Sequence, residues 1–155
     1  MFVYRITKKE HAALDGLGGL YGSGRWHKKG FPVIYTSEHA SLAAWEKIVH
    51  VASFGNLPNN LLLIKIEIPD GIKIQTVPKN ILVEGWDSFP FSSETVNCGT
   101  SFLQKKKYLA LKVPTVIIPD EFNFILNPLH PEINECKVIS LIPFIFDKRV
   151  SKFSM

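Results

Sequence analysis

Residues 2–7 alternate, with Phe2, Tyr4 and Ile6 on one face of an extended segment and Val3, Arg5 and Thr7 on the other. That period of two predicts a first strand. A second, short strand is expected at Val33-Ile34-Tyr35-Thr36, after which Ser37 is a suitable N-cap and Glu38 falls in the first turn of a helix running to about Ala52. Alternation returns in Leu61–Ile68, where Leu62, Ile64, Ile66 and Ile68 oppose Lys65 and Glu67, the pattern of a half-buried strand. Pro69-Asp70-Gly71 offers a turn, so Ile72–Thr76 is expected to be that strand's neighbour. Residues 93–107 read as a helix closing on Lys105-Lys106-Lys107, cations that suit a helix C-terminus. Val113–Ile118, Phe122–Leu126 and Val138–Phe146 complete the predicted strands, punctuated by Pro114, Pro119, Pro128 and Pro143. Strands outnumber helices and do not alternate strictly with them, which predicts an α+β fold. No repeat, low-complexity tract or linker interrupts residues 1–155, so a single domain is expected.

Composition narrows the class. Hydrophobic residues make up 46% and charged residues 21% of the chain, which excludes disorder as its general state. No apolar run is long enough to span a bilayer. Met1 leads into Phe2-Val3-Tyr4-Arg5-Ile6 with no basic start and apolar centre of a signal peptide, so a cytoplasmic chain without membrane contact is expected. Cys98 and Cys136 have no CxxC or HxxxH companions; neither a metal site nor a disulfide is expected, and both read as small buried hydrophobes. The net charge of +4 is concentrated at one end: residues 1–30 hold six basic residues against two acidic ones, and the rest of the chain balances. The same thirty residues hold six of the ten glycines, Gly16, Gly18, Gly19, Gly22, Gly24 and Gly30. Backbone N–H groups at glycines approach a ligand closely, and nearby cations favour an anionic one. A solvated basic loop is the plainer reading of the same residues. With no basic stripe along the rest of the chain, a broad nucleic-acid footprint is not expected.

Three residues at steps of ten and eleven carry candidate chemistry. Arg25 lies in Gly22-Ser23-Gly24-Arg25-Trp26-His27, where a guanidinium offers a planar fork of donors to phosphate oxygens. Tyr35 leaves a strand beside that loop, and its ring is placed to stack on a flat ligand. Glu46 falls on the predicted helix with Leu42 and Val49 within about 60° of it, on the apolar stripe with Trp45 and off the wet face. A carboxylate there must be hydrogen-bonded, paired or working. A buried ion pair with Arg25 or Arg5 and a catalytic role both satisfy that demand.

Taken in order, Tyr4-Arg5-Ile6, Gly22-Ser23-Gly24-Arg25-Trp26, Val33-Ile34-Tyr35-Thr36-Ser37 and Leu42-Ala43-Ala44-Trp45-Glu46 resemble the RES domain. Val113-Pro114-Thr115 and Asn123–Asn127-Pro128 resemble its later Val-Pro-Ser and Asn…Asn-Pro segments, and the resemblance runs from Tyr4 to about Pro131. It implies a toxin of a bacterial toxin–antitoxin pair, with an Xre-type antitoxin as partner. It implies a fold like that of ADP-ribosyltransferases, a split antiparallel/mixed β core with flanking helices. The implied substrate is NAD, with no metal, cleaved at the nicotinamide–ribose bond by hydrolysis or phosphorolysis, or used to transfer ADP-ribose to a protein. A non-enzymatic basic module that binds nucleic acid through residues 1–30 and Lys105–Lys107 is the third reading. On the NAD reading, Glu46 stabilises the ribosyl cation or holds the ribose hydroxyls, Arg25 and the amides around Gly24 hold the pyrophosphate, and Tyr35 packs on the nicotinamide end. Arg5 is a second phosphate ligand or the partner of a carboxylate. Thr115 stands where the family has serine, keeps the hydroxyl and is expected among the residues that bind the cofactor; His27 stands where Asn is common and carries no assigned role.

Overall fold

The computed structural model describes residues 1–51 and 54–153. Seven strands form one sheet: β1 (Phe2–Lys8), β2 (Ile34–Ser37), β3 (Leu61–Glu67), β4 (Ile74–Thr76), β5 (Ala110–Pro114), β6 (Phe122–Leu126) and β7 (Lys137–Pro143). Two helices flank it, α1 (Ala40–Val49) and α2 (Ser93–Lys105), with short 3-10 turns between elements. The spatial order is β4-β5-β6-β2-β1-β3-β7. The β4–β5 pair is parallel and the others are antiparallel. The α+β class expected from the pattern, and the mixed core that the resemblance implies, are therefore the ones found.

The sheet is nearly divided in the middle. β1 runs beside β3 from Phe2 to Lys8, and β2 beside β6 over all four of its residues. Between β1 and β2 the ladder holds one pair, Tyr4 with Ser37. Beyond it the strands part, so Arg5–Thr7 and Tyr35–Thr36 face each other across an open seam. The core divides instead between the two faces of the sheet. Val33, Leu111, Val113 and Ile125 pack with Trp26 and with Phe102 and Leu103 of α2, while Val3, Ile34, Ile64, Ile66, Phe124 and Leu126 pack on the opposite face. Alternate residues of β6 thus point to opposite sides, as the pleat requires.

α2 reaches the strand-joining segment through a glycine. A Cβ at Gly99 would overlap the Trp26 carbonyl, so only a glycine lets the helix lie directly on that backbone. Thr100 Oγ1, the next residue, accepts from Lys28 N at 3.0 Å. Together they pin the Gly24–Lys28 turn, and with it Arg25, against α2. Lys106, in the left-handed region at φ 47°, ends the helix.

Four expectations shift. Residues 74–76 do not neighbour β3, because β1 and β7 already occupy both of its edges; they pair with β5 at the far side of the sheet. Ser37 ends β2 and is not the N-cap; His39 takes that position, and Glu38 Oε1 instead accepts from Phe122 N at 2.6 Å. The helix ends at Val49, while Ala52, its expected end, lies outside the described residues. The strand expected at 113–118 lies at 110–114, since Pro114 closes the ladder and residues 115–121 form the turn into β6. Cys98 and Cys136 are free and half-buried, with burial pushing the Cys136 thiol up to about 11.

Candidate active-site cleft

The open seam widens into a cleft of about 880 Å³. Arg5 and Thr7 line it from β1, Tyr35 and Ser37 from β2, Glu46 from α1 and His50 from its C-cap, and Thr115 and Asn123 from the β5–β6 hairpin. All the residues expected on sequence grounds, Arg5, Gly24, Arg25, Tyr35, Glu46 and Thr115, border this one cavity.

Glu46 is held at once from the β5–β6 turn and from β6. Its Oε1 accepts from Thr115 Oγ1 at 2.9 Å and from Asn123 Nδ2. Asn123 is itself oriented, because its Oδ1 accepts from Ser37 Oγ at 2.7 Å. Thr115 Oγ1 also receives the Ile117 N–H at 3.1 Å. The second oxygen, Oε2, lies 3.9 Å from His50 Nε2, one turn along the helix. Neither expected ion pair forms: among the described residues no arginine lies within bridging distance of Glu46. The apolar stripe is also only half real. Leu42 is fully buried, but Trp45 is 50% and Val49 56% exposed; Trp45 faces a separate apolar hollow with Ala44, Ile48 and Phe146. Val49 lines the cleft beside Glu46.

Arg25 is tethered from the other side. Both hydrogens of Nη1 are used, by Trp86 O at 2.8 Å and Ser88 O at 3.0 Å, and its Cζ lies 5.0 Å from the Phe91 ring centroid. Nη2 and Nε have no protein partner among the described residues. Burial lowers its pKa, opposed by Asp87 and Glu46, yet a guanidinium stays charged. Arg5 is more exceptional. Its Nη1 is buried with no hydrogen-bond partner, and no carboxylate lies within ion-pair distance among the described residues. Burial lowers its pKa, with the Asp15 charge opposing.

Tyr35 is anchored by its hydroxyl, which leaves the ring as the surface bordering the cleft. Oη accepts from Trp26 N at 3.2 Å and lies 2.9 Å from His27 Nδ1. His27 Nε2 is 2.9 Å from Gly22 O. A carbonyl can only accept, so Nε2 carries the proton and Nδ1 accepts from the tyrosine. Burial pushes the phenol well above its ordinary range. Gly24 is part of the same knot, because a Cβ there would sit 2.7 Å from Tyr35 Oη. His27, 4% exposed, thus fixes the ring of Tyr35 from behind. Its pKa is lowered, chiefly by burial. The unfolded chain therefore takes up the proton first, and the histidine's contribution is whole above about pH 6.5 and lost as the pH falls through the folded value. His27→Phe should flatten the acid limb of the melting temperature between about pH 7 and pH 5 relative to the parent; parallel limbs would refute the assignment.

Asn123, Ser37, His27 and His50 were not among the residues expected to form the site. Asn123 had a signal, its place at the head of the Asn…Asn-Pro segment; Ser37 was taken for a helix cap.

Comparison with known proteins identifies the setting of this cleft. Residues 2–147 match the RES domain. The chain belongs to the RES domain family. It is 34% identical over 140 residues to the Prs ADP-ribosylating toxin of Sphingobium sp. (strain YBL2), covering 88% of this chain and 86% of that protein. It is 35% identical over 139 residues to Toxin Res of Pseudomonas putida (strain KT2440), covering 89% and 92%. The RES fold is shared with a chain of the M. tuberculosis MbcT–MbcA toxin–antitoxin complex, at a TM-score of 0.71 and 18% identity over 92% of this chain and 83% of that one.

Proposed function

We propose that this RES protein is a toxin that binds NAD in the seam between β1 and β2 and breaks its nicotinamide–ribose bond. The observation that carries the reading is the pairing of one carboxylate, clamped by Thr115 and Asn123, with two arginines that have unsatisfied donors in the same cleft. An anionic ligand with two phosphates meets both arginines. As the bond breaks, its electron pair leaves with nicotinamide and positive charge develops on the ribose, as in glycoside hydrolysis. Glu46 stabilises that charge, and the neutral nicotinamide needs no strong acid to depart. Arg25 holds phosphate oxygens with Nη2 and Nε, and the Tyr35 ring packs on the nicotinamide ribose. Water or phosphate then takes the ribosyl carbon.

Incubation of the purified protein with NAD should release nicotinamide, and its induced expression without an antitoxin should deplete cellular NAD as growth stops. A level NAD pool in arrested cells would overturn the reading. The proposed partner is an Xre-type antitoxin. Likeness to a relative named for ADP-ribosylating Prs supports a second reading, transfer of ADP-ribose to a protein through the same site. Labelled NAD in cell extract separates the two, since the label ends on small products or on a protein band. The nucleic-acid reading keeps the exposed lysines Lys9, Lys28, Lys29 and Lys105–Lys107 but loses Arg5 and Arg25, which border the cleft.

Thr115 acts on this reading through Glu46 and is a positioning residue, since its hydroxyl hydrogen is committed to the carboxylate. Thr115→Val keeps the shape and removes one bond worth about 1 kcal/mol, more where the partner is charged. The expected result is an about tenfold drop in kcat with KM for NAD little changed, and recovery in Thr115→Ser. A rise in KM alone would place the hydroxyl on the ligand instead.

A further inference from the structure

The loop between residues 82 and 92 brings two phenylalanines to the rim of the cleft, Phe89 and Phe91. Their rings meet edge-to-face, with centroids 5.4 Å apart and planes at 89°. Phe91 is half-buried and carries the Arg25 guanidinium on its ring. Phe89 is 82% exposed. A phenylalanine left in water forgoes the gain that burial would bring, about 1.5–3 kcal/mol, and this one stands at the mouth of a cavity. The loop itself is tied to the cleft by the Arg25 bonds to Trp86 O and Ser88 O.

The order of groups along the cleft decides what Phe89 would meet. Glu46 is held on the α1 side of the cleft by Thr115 and Asn123, whereas Arg25 is bonded to the loop that carries Phe91 and Phe89. After Arg25 come Phe91 at 5.0 Å from it, then Phe89 at 5.4 Å from Phe91. NAD has the same sequence of parts: the scissile ribosyl bond, the pyrophosphate, and then adenosine. Resting on the NAD reading above, we propose that Phe89 is the stacking platform for the adenine ring and so selects adenine dinucleotides over nicotinamide mononucleotide. Phe91 already has a guanidinium on its ring and a neighbouring ring against it, whereas Phe89 retains an open face. Phe91 then serves as its brace, holding the ring beside the residue that carries the Arg25 guanidinium. Aromatic rings hold bases by their faces whatever the base's edge pattern, so the adenine's exocyclic groups need no polar partners here.

The test uses two fragments of the dinucleotide, ADP-ribose and nicotinamide mononucleotide, titrated against the full chain by calorimetry. Phe89→Ala should weaken ADP-ribose binding by about five- to a hundredfold, the range for loss of one stacked base, and leave nicotinamide mononucleotide affinity unchanged. Phe89→Trp should keep or strengthen ADP-ribose binding, which shows that a flat ring and not the loop's shape is what matters. An exposed side chain contributes little to folding, so both variants should melt with the parent. Equal ADP-ribose affinity in Phe89→Ala overturns the subsite. Equal loss for both fragments also overturns it, because the ring would then meet the nicotinamide end. If the parent binds nicotinamide mononucleotide but not ADP-ribose, the adenine subsite falls and the nicotinamide end of the NAD reading stands. If the parent binds neither fragment, the NAD reading fails and takes the subsite with it.

Discussion

Glu46→Gln should consume NAD about 10²–10³ times more slowly than the parent, the scale of one electrostatic contact in a transition state, while melting no lower. The substitution is close to isosteric, and the surroundings can hold it. The amide oxygen can take the place of Oε1 and accept from Thr115 and Asn123, while the NH₂ group replaces Oε2, the atom nearest His50. What disappears is the negative charge. If that charge stabilises the ribosyl cation, turnover falls and NAD affinity survives, because Arg25 and Arg5 still meet the phosphates. If Glu46 serves only to tie α1 to the β5–β6 hairpin, the melting temperature falls and activity follows the folded fraction. Melting, NAD binding and turnover measured on one preparation separate the two, and parent-like turnover would sink the assignment.

Arg5→Met should move stability and binding in opposite directions. A buried guanidinium nitrogen without a partner costs free energy in the empty protein. Methionine retains much of the side chain's apolar length and carries no charge. Replacing buried charges with apolar groups of similar size has stabilised other proteins by about 1–4 kcal/mol, and a rise in melting temperature is expected here. NAD affinity should fall about tenfold or more as one phosphate loses a charge-assisted bond. Such an exchange is the mark of a group kept for its ligand at the expense of the fold. A lower melting temperature with intact NAD binding would make Arg5 a structural residue.

The parts of this molecule that were legible in the sequence are those with a local period. β1, β3 and β6 announce themselves by alternation or by a short apolar run, and α1 by the spacing that brings Leu42 and Glu46 to one side. Arg5, Arg25, Tyr35 and Glu46 stood out as chemically unusual residues in patterned segments, and they border one cleft. Long-range choices left no such trace. Nothing in residues 72–76 tells that β3's edges are taken by β1 and β7, so the Pro69-Asp70-Gly71 turn suggested a hairpin that does not exist. Ser37 looks like a cap because serine caps helices; only its register opposite Asn123 makes it the outer end of the bond chain to Glu46. His27 gave no sign of its hold on Tyr35, since a turn of four residues has no period to read. Phe89 and Phe91 lie in a loop, where an exposed aromatic reads as an accident until its neighbours are known.

The parting of β1 from β2 after the Tyr4–Ser37 pair has one more consequence. From that point the main-chain groups of the two strands that face the seam are not paired with one another, and whatever fills it meets peptide N–H and C=O groups as well as side chains. Those groups are the same for every sequence that keeps the split. Substitution can remove a guanidinium or a carboxylate, but it cannot remove the amide. Recognition in this cleft should therefore erode in steps under mutation, with a residual grip on the ligand left in variants that have lost all catalysis.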